Sequence, residues 1–290
     1  RREYYQDYRF ADVFAALKRA PRTLVRRLEA IEGVDRVQAR VVANAQIDLP
    51  GFPEPVTGRL VSLPDYGPPA LNDIHLRSGR RVEPGREDEA VVSEAFAEAH
   101  GLSPGDRLSA VIKGRQRELT IVGVALSPEY IYQIAPGRVL PDYRRYAVLW
   151  MADRPLAAAF EMEEGFNDVV FGLSRGARPE DVVAAVDAEL APYGGIGAYT
   201  RDDQVSHKFL DEEFRQLRQT ALMFSVIFLG VTAFMLNVVI ARLVSTQREQ
   251  IAILKAFGYT NGQVGRHYLG LVLLIVAAGV LLGTAAGAWL

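Results

Sequence analysis

The 290-residue sequence contains no cysteine, and that single absence removes disulfide frameworks, thiolate-ligated zinc, iron-sulfur clusters and thiol nucleophiles together. It leaves the compartment open. An excess of one charge is missing as well: 33 Lys and Arg stand against 35 Asp and Glu, a formal net charge of -2. No basic surplus argues for nucleic acid as a partner, and no acidic surplus argues for disorder. The phosphate-cradling pattern G-x-x-x-x-G-K-[ST] occurs nowhere, so energy from ATP has to reach this chain through a partner. The four histidines, His75, His100, His207 and His267, lack the i, i+4 spacing of a helical metal site. Neither a metal nor another cofactor is expected.

Length alone suggests about two domains. The composition, 49% hydrophobic and 23% charged, hides an uneven distribution. Ala221 to Ala241 is a run of 21 residues without Asp, Glu, Lys, Arg or His. As a helix it spans about 32 Å, against about 30 Å of bilayer hydrocarbon. A second uncharged run, Tyr268 to Leu290, is also long enough to span. The alternative, a buried hairpin in a large soluble protein, rarely brings two such runs so close together. The loop between them carries Arg242, Arg248, Lys255 and Arg266 against the single acid Glu249, and short loops rich in Lys and Arg stay in the cytoplasm. The first helix then runs inward and the second outward, which places everything before about Gln219 on the extracytoplasmic side. Residues 1–10 have no apolar core of a signal peptide and no initiating Met, so the topology leads us to expect a further helix before Arg1 and at least one more after Leu290.

The exported part reads as mixed α and β. Val13, Phe14 and Leu17, then Leu24, Leu28 and Ile31, have helical spacing, with Gly33 as a stop. Alternating or β-branched runs predict strands over Val34 to Leu49, Val56 to Leu63, Leu108 to Ile112, Leu119 to Ala125, Tyr146 to Trp150 and Asp168 to Leu173. Short helices fit Ser93 to His100, Pro155 to Met162 and Pro179 to Leu190. Pro and Gly mark loops at Leu49 to Pro55 and Pro64 to Pro69. Before the membrane, Thr200 and Asp203 resemble a capping box, and Leu210, Phe214, Leu217, Ala221 and Phe224 form a stripe that carries the helix into the bilayer without a break. A rigid stalk is one reading of it; a solvated helix packed on its own domain is the other.

Apparent catalytic signals have simpler explanations. Gly101-Leu102-Ser103-Pro104-Gly105 matches the G-x-S-x-G nucleophile elbow, yet a helix precedes it and a strand follows, the reverse of what the elbow needs. Pro104 also has no backbone N–H to offer an oxyanion hole. A turn is expected. The acidic groups Glu161, Glu163, Glu164 and Asp211, Glu212, Glu213 read as solvated faces. Lys18, Arg19, Arg22, Arg26 and Arg27 read as a basic helix face, solvated or touching lipid headgroups.

The inner loop, Ser245 to Gly258, reads as a short helix ending at Gly258, after which Thr260 and Gln263 resemble a second capping box. Charge (Arg248, Glu249, Lys255) sits beside apolar anchors (Ile251, Leu254, Phe257), which suits either a partner's groove or the membrane surface. Here the residues resemble the FtsX-like, or MacB-type, permeases of ABC transporters, whose R-E-x-I-x-x-L-[KR]-A-x-G stretch is matched by Arg248, Glu249, Ile251, Leu254, Lys255, Ala256 and Gly258. Val91-Val92-Ser93, Pro104-Gly105-Asp106 and Ile121-Val122-Gly123 resemble the family's periplasmic core domain. What the resemblance implies is an α+β extracytoplasmic domain (residues 1–200), a stalk helix (201–219) and a transmembrane α-helical region with two spanning helices (220–290), lacking the family's first and last helices. It also implies a non-catalytic permease subunit in a bacterial inner membrane. Its partners are a cytoplasmic ABC ATPase, docked on Arg248, Glu249, Ile251, Leu254, Lys255, Phe257 and Gly258, a second permease copy or homologous half, and membrane lipid. The cargo class is lipid, lipoprotein or peptide. Asn237, Gly279, Gly283 and Gly287 are candidates for helix packing in the bilayer. The alternative function is a membrane-anchored sensor or binding protein without an ATPase.

Overall fold

A computed structural model describes residues 8–49, 51–135, 138 and 140–289, excluding the side chains at 210 and 271. Most of the Arg1–Phe10 stretch, Pro50 in the first expected loop, the Leu210 side chain of the expected stripe, and Leu290 therefore lie outside the described residues. The chain divides into two compact units, Arg1–Phe214 and Arg215–Leu290.

The first unit contains two sheets. The smaller is four-stranded, in the order β11-β1-β10-β2, with β1 Val13–Pro21, β2 Val34–Arg40, β10 Gly165–Leu173 and β11 Ala198–Thr200. Its ladders are all antiparallel. One face buries Val13, Ala15, Leu17, Phe166 and Phe171 with Leu28 of helix α1 (Val25–Glu29) and Val182, Val186 and Leu190 of helix α4 (Pro179–Leu190). The helical spacing of Val13, Phe14 and Leu17 misleads, because Val13 to Pro21 is a strand. It is bonded on both sides, to β10 and β11, so Val13, Ala15 and Leu17 point to one face and Phe14 to the other. Long-range pairing overrides a weak local pattern. The basic face dissolves with it: Lys18 and Arg19 lie on β1, Arg22 in a 3-10 turn and Arg26 and Arg27 on α1. Arg22 pairs with Asp153 at 2.5 Å and Arg27 with Glu189 at 2.7 Å.

The larger sheet holds β3 Val42–Leu49, β4 Phe52–Leu63, β5 His75–Gly79, β6 Glu89–Ser93, β7 Arg107–Ile112, β8 Arg115–Leu126 and β9 Tyr146–Ala152. Because β8 pairs with β7 as well as β6, the order β8-β6-β9-β4-β3-β7 closes on itself as a barrel, with β5 added against β8. Alternation does the rest. Ala90, Val92, Leu108, Ala110, Ile112, Leu119, Ile121 and Leu149 share one core with Phe96 of helix α2 (Glu94–His100) and Leu156 of helix α3 (Asp153–Ala159). Val91, Val122, Val148 and Trp150 belong to a second core, with Val61 and Ile74. The expected strands over 34–49, 56–63, 108–112, 119–125, 146–150 and 168–173 are all present, the first interrupted at Val41, where the chain passes from the small sheet to the barrel. Strands β5, β6 and β11 have no counterpart in the pattern reading: they are three to five residues long, too short to show a period.

The turn expected at Gly101–Gly105 forms. Gly101 ends α2 in the left-handed region at φ +66, Leu102 N donates to Ala97 O at 2.8 Å, and Ser103 N donates to the Asp106 carboxylate at 2.7 Å. No strand feeds Ser103 and no helix leaves it. The three motifs that resemble the periplasmic core meet here: β6 lies parallel to β8, with Val91 opposite Gly123, while Gly105 N donates to Ile121 O at 2.7 Å and Ile121 N to Asp106 O at 2.8 Å. Their shared task is to hold the parallel pairing of β6 with β8, one of two in the barrel beside that of β4 with β9.

The second unit comprises the later turns of helix α5 (Val205–Thr246), helix α6 (Arg248–Ala256) and helix α7 (Asn261–Trp289). Helices α5 and α7 are long and apolar enough to cross a membrane. The aliphatic hydroxyls of the uncharged runs are satisfied by their own helix: Ser225 donates to Ala221 O at 2.8 Å, Thr232 to Phe228 O at 2.7 Å and Thr284 to Val280 O at 2.7 Å.

Leu149→Ala, which opens a void inside the barrel, is expected to cost about 2–5 kcal/mol, whereas Tyr66→Ala stays within about 0.5 kcal/mol. Leu149 is 0% exposed and Tyr66 is 74% exposed. Chemical denaturation followed by far-ultraviolet circular dichroism checks the ordering.

Candidate functional site

Two groups of residues carry more structure than packing alone requires. The first is α6. Helical hydrogen bonding continues almost through the break after α5, since Gln247 N donates to Leu243 O at 3.1 Å and Ile251 N to Gln247 O at 3.0 Å. The turn at Gln247 itself has φ -97 and ψ +17, which separates the two helices. At the far end, Tyr259 N donates to Leu254 O at 3.2 Å and Gly258 N to Lys255 O at 3.0 Å, with Gly258 at φ +91. That pair of bonds is a Schellman motif, and a glycine adopts its left-handed residue at least cost. Thr260 and Gln263 then cap α7 reciprocally, with Thr260 N donating to Gln263 Oε1 at 2.9 Å and Gln263 N to Thr260 Oγ1 at 3.4 Å, as their spacing predicts. Helix α6 packs against α7, and Tyr268 Oη donates to Gln247 Oε1 at 2.5 Å.

The structure brings Arg248, Glu249, Ile251, Leu254, Lys255, Phe257 and Gly258 together on this helix and its terminus. Phe257 is 80% exposed and Leu254 39%, while Ile251 is half-buried; Ile253, absent from the anchors read in the sequence, is exposed instead. Asn237 is exposed on α5, and a Cβ at Gly279, Gly283 or Gly287 meets nothing within 4 Å. Among the described residues no group of three or more His, Asp and Glu is arranged to hold a metal ion.

The second group, in the first unit, has no signature in the sequence. Arg40, at the end of β2, lies directly across the ladder from Asp168 of β10. Its guanidinium reaches Asp168 Oδ1 from Nε at 2.8 Å and from Nη2 at 2.6 Å. It also donates to both carboxylate oxygens of Glu129, at 2.6 and 3.0 Å, in a bidentate pair. Asn72 Nδ2 adds a bond to Glu129 Oε2 at 2.8 Å. All four residues are buried.

Burial opposes every charge here, and the outcomes differ. Burial alone raises the carboxyl of Glu129, but Arg40 and the donors around it hold it below the ordinary 4.5. Burial and the neighbouring Glu129 charge keep Asp168 above its ordinary 3.8 even with Arg40 in contact. The guanidinium of Arg40, despite burial, stays protonated between two acids. Near them Arg59 Nε donates to Tyr130 Oη at 3.2 Å, and burial, reinforced by Glu129, pushes the Tyr130 phenol well up.

The root of α5 joins the same place. The capping box expected at Thr200 and Asp203 does not form: residues 201–203 make a 3-10 turn, and Thr200 makes no capping bond. Arg201 is held to the chain before β1, donating to Ala11 O at 2.9 Å and to Asp12 Oδ1 at 2.7 Å, so the helix starts later. Gln204 takes over the cap, its Oε1 accepting from His207 N at 2.9 Å while its Nε2 donates to Glu129 O at 2.6 Å.

Comparison with known proteins addresses the C-terminal part most directly. Residues 222–290 match the family model described as FtsX-like permease C-terminal, which agrees with the resemblance of Arg248 to Gly258. Among solved structures, the chain is similar to the extracellular domain of the noncanonic ABC-type transporter YknZ from Gram-positive bacteria, at 12% identity and a TM-score of 0.41, covering 66% of this chain and 98% of that one. It is also similar to the periplasmic region of MacB from Actinobacillus actinomycetemcomitans, at 7% identity and a TM-score of 0.40, covering 73% and 96%. No curated protein matches the sequence.

The charge cluster has a pH signature. Glu129, with a lowered folded pKa, contributes stability that is present above about pH 4.5 and is lost as pH falls through its folded value. Asp168, with a raised one, acts in the opposite sense: its contribution is present below about pH 3.8 and lost as pH rises through its folded value. The thermal midpoint of the whole chain in detergent, measured from pH 7 to pH 3, is expected to fall below about pH 4.5. Glu129→Gln is expected to flatten that acid limb and to lower the midpoint at neutral pH, in line with a loss of about 3–5 kcal/mol in stability, because Arg40 is left short of a partner.

Proposed function

We propose that the chain is the permease subunit of an ABC transporter, coupling ATP hydrolysis by a cytoplasmic partner to movement of its extracytoplasmic domain. The single observation that carries this reading is the match of residues 222–290 to the FtsX-like permease family, with α6 exposing Ile253, Leu254 and Phe257 inside the matched segment. An amphipathic helix whose apolar residues are uncovered and flanked by Arg248, Glu249 and Lys255 suits a groove on a partner. In this organisation residues 1–200 form the extracytoplasmic domain, 201–219 the stalk and 220–290 the membrane region. The subunit is non-catalytic, crosses a bacterial inner membrane more than once and works beside a second copy or a homologous half. Gly279, Gly283 and Gly287 offer that neighbour a close helix approach, and Asn237 a hydrogen bond. Lipids, lipoproteins or peptides are the cargo class. The basic loop between the two long helices sets the orientation, with α6 in the cytoplasm.

Capture of an ABC ATPase by the purified full chain is expected to drop at least about tenfold in Leu254→Asp and Glu249→Lys, since truncating or reversing a central anchor costs more than about 1.4 kcal/mol. Capture that both substitutions leave unchanged would sink the docking role of α6. Topology is checked separately in whole cells, exploiting the absence of native cysteine. A maleimide that cannot cross the membrane is expected to label Arg178→Cys and spare Lys255→Cys; labelling of position 255 from outside contradicts the orientation.

A further inference from the structure

The segment Ser127–Gln133, which follows β8, is bonded to each of the three parts of the first unit. Toward the small sheet, the Glu129 carboxylate takes the bidentate pair from Arg40 and the bond from Asn72, whose Oδ1 accepts Ala11 N at 2.8 Å just before β1. Toward the barrel, Ser93 Oγ donates to Gln133 Oε1 at 3.0 Å, and the Tyr130 ring meets Trp150 edge-on at 6.2 Å. Toward the root of α5, the Glu129 carbonyl accepts from Gln204 Nε2 at 2.6 Å and from Ser206 Oγ at 2.9 Å. Tyr132 N donates to Ser206 Oγ at 3.2 Å, its ring packs on Phe209 at 5.4 Å, and its hydroxyl donates to Glu213 at 2.6 Å. Gln204 and Ser206 are 6% and 1% exposed, so these bonds are shielded from competing water.

A buried Arg between two acids is an expensive way to gain stability, since apolar residues of similar volume often serve as well or better. What such a cluster adds is direction: bidentate bonds admit one relative placement of the elements that carry them. One residue here bonds through its side chain to the small sheet and through its carbonyl to the start of the long helix.

We propose that Glu129 is a positioning residue, and that Ser127–Gln133 is a joint which ties the first turns of α5 to the relative placement of the small sheet and the barrel. Its use in transmitting motion rests on the permease reading; its existence does not. Helix α5 is the same helix whose residues 221–241 are uncharged, so the tie acts on the element that enters the membrane span.

The test is pulsed electron-electron spin-label distance measurement on the full chain in nanodiscs, again using the absence of native cysteine. Labels at Glu212 on α5, Arg178 at the N-cap of α4 and Glu118 on the barrel are taken in pairs, all three positions being exposed. Gln204→Ala combined with Ser206→Ala is expected to widen the 212–178 and 212–118 distance distributions about twofold and to leave 178–118 unchanged, because only the helix root is released. Glu129→Gln is expected to widen all three. Helix-to-domain widths that stay unchanged in the double variant overturn the joint, and that variant decides the matter if Glu129→Gln does not fold. Because no ATPase enters the measurement, unchanged widths count against the joint whether or not an ATPase is captured, and failed capture counts only against the permease reading.

Discussion

One guanidinium holds the first unit together where its two sheets meet. Arg40 stands at the last residue of β2, and a single residue later the chain enters the barrel as β3. An arginine in that position cannot stay solvated, and it cannot be buried alone without a penalty of several kcal/mol. It therefore requires acids from elsewhere, and Asp168 and Glu129 supply them from β10 and from the segment after β8. Neutral hydrogen bonds around the same crossing finish the arrangement: Val41 and Ser62 exchange bonds at 2.9 Å, and the Asn167 amide accepts from Val42 N at 2.8 Å and donates to its carbonyl at 2.7 Å. The first pair fixes the crossing residue itself to β4 of the barrel and the second joins β10 of the small sheet to β3, so the crossing is specified by direction as well as by burial.

The membrane unit obeys a different constraint. Hydrocarbon offers no partner to a backbone group, so a spanning segment must satisfy itself, and within the two long helices Ser225, Thr232 and Thr284 return their hydroxyls to their own backbone. From residue 219 onward charge is confined to the interval between the uncharged runs, where α6 sits between the turn at Gln247 and the left-handed Gly258. A helix stopped in this way on both sides keeps its length fixed, and its exposed apolar residues lie beside Arg248, Glu249 and Lys255.

How much was legible in the sequence follows from how local each cause is. Six strands, three short helices, the turn at Gly101–Gly105 and the cap at Thr260 and Gln263 were readable because each depends on residues within a few positions of one another. The Val13–Leu17 segment was not, since its strand state comes from pairing with Phe171 and Thr200, far along the chain. The start of α5 was misplaced for a related reason: Arg201 is held by Ala11 and Asp12, which removes residues 201–203 from the helix and passes the cap to Gln204. Arg40, Glu129 and Asp168 left no trace at all, because a single charged residue in a strand or a loop looks the same whether it faces water or an opposite charge.

The sequence by itself determined the two uncharged helices, the short charged helix between them and its stop at Gly258, since hydropathy, helix period and left-handed preference are properties of neighbouring residues. Only the tertiary structure decided that β8 closes a barrel, that β1 is a strand and that Glu129 meets Arg40. Those outcomes depend on contacts between residues 89 or more positions apart in the case of the charge cluster, where no local pattern can register the partner.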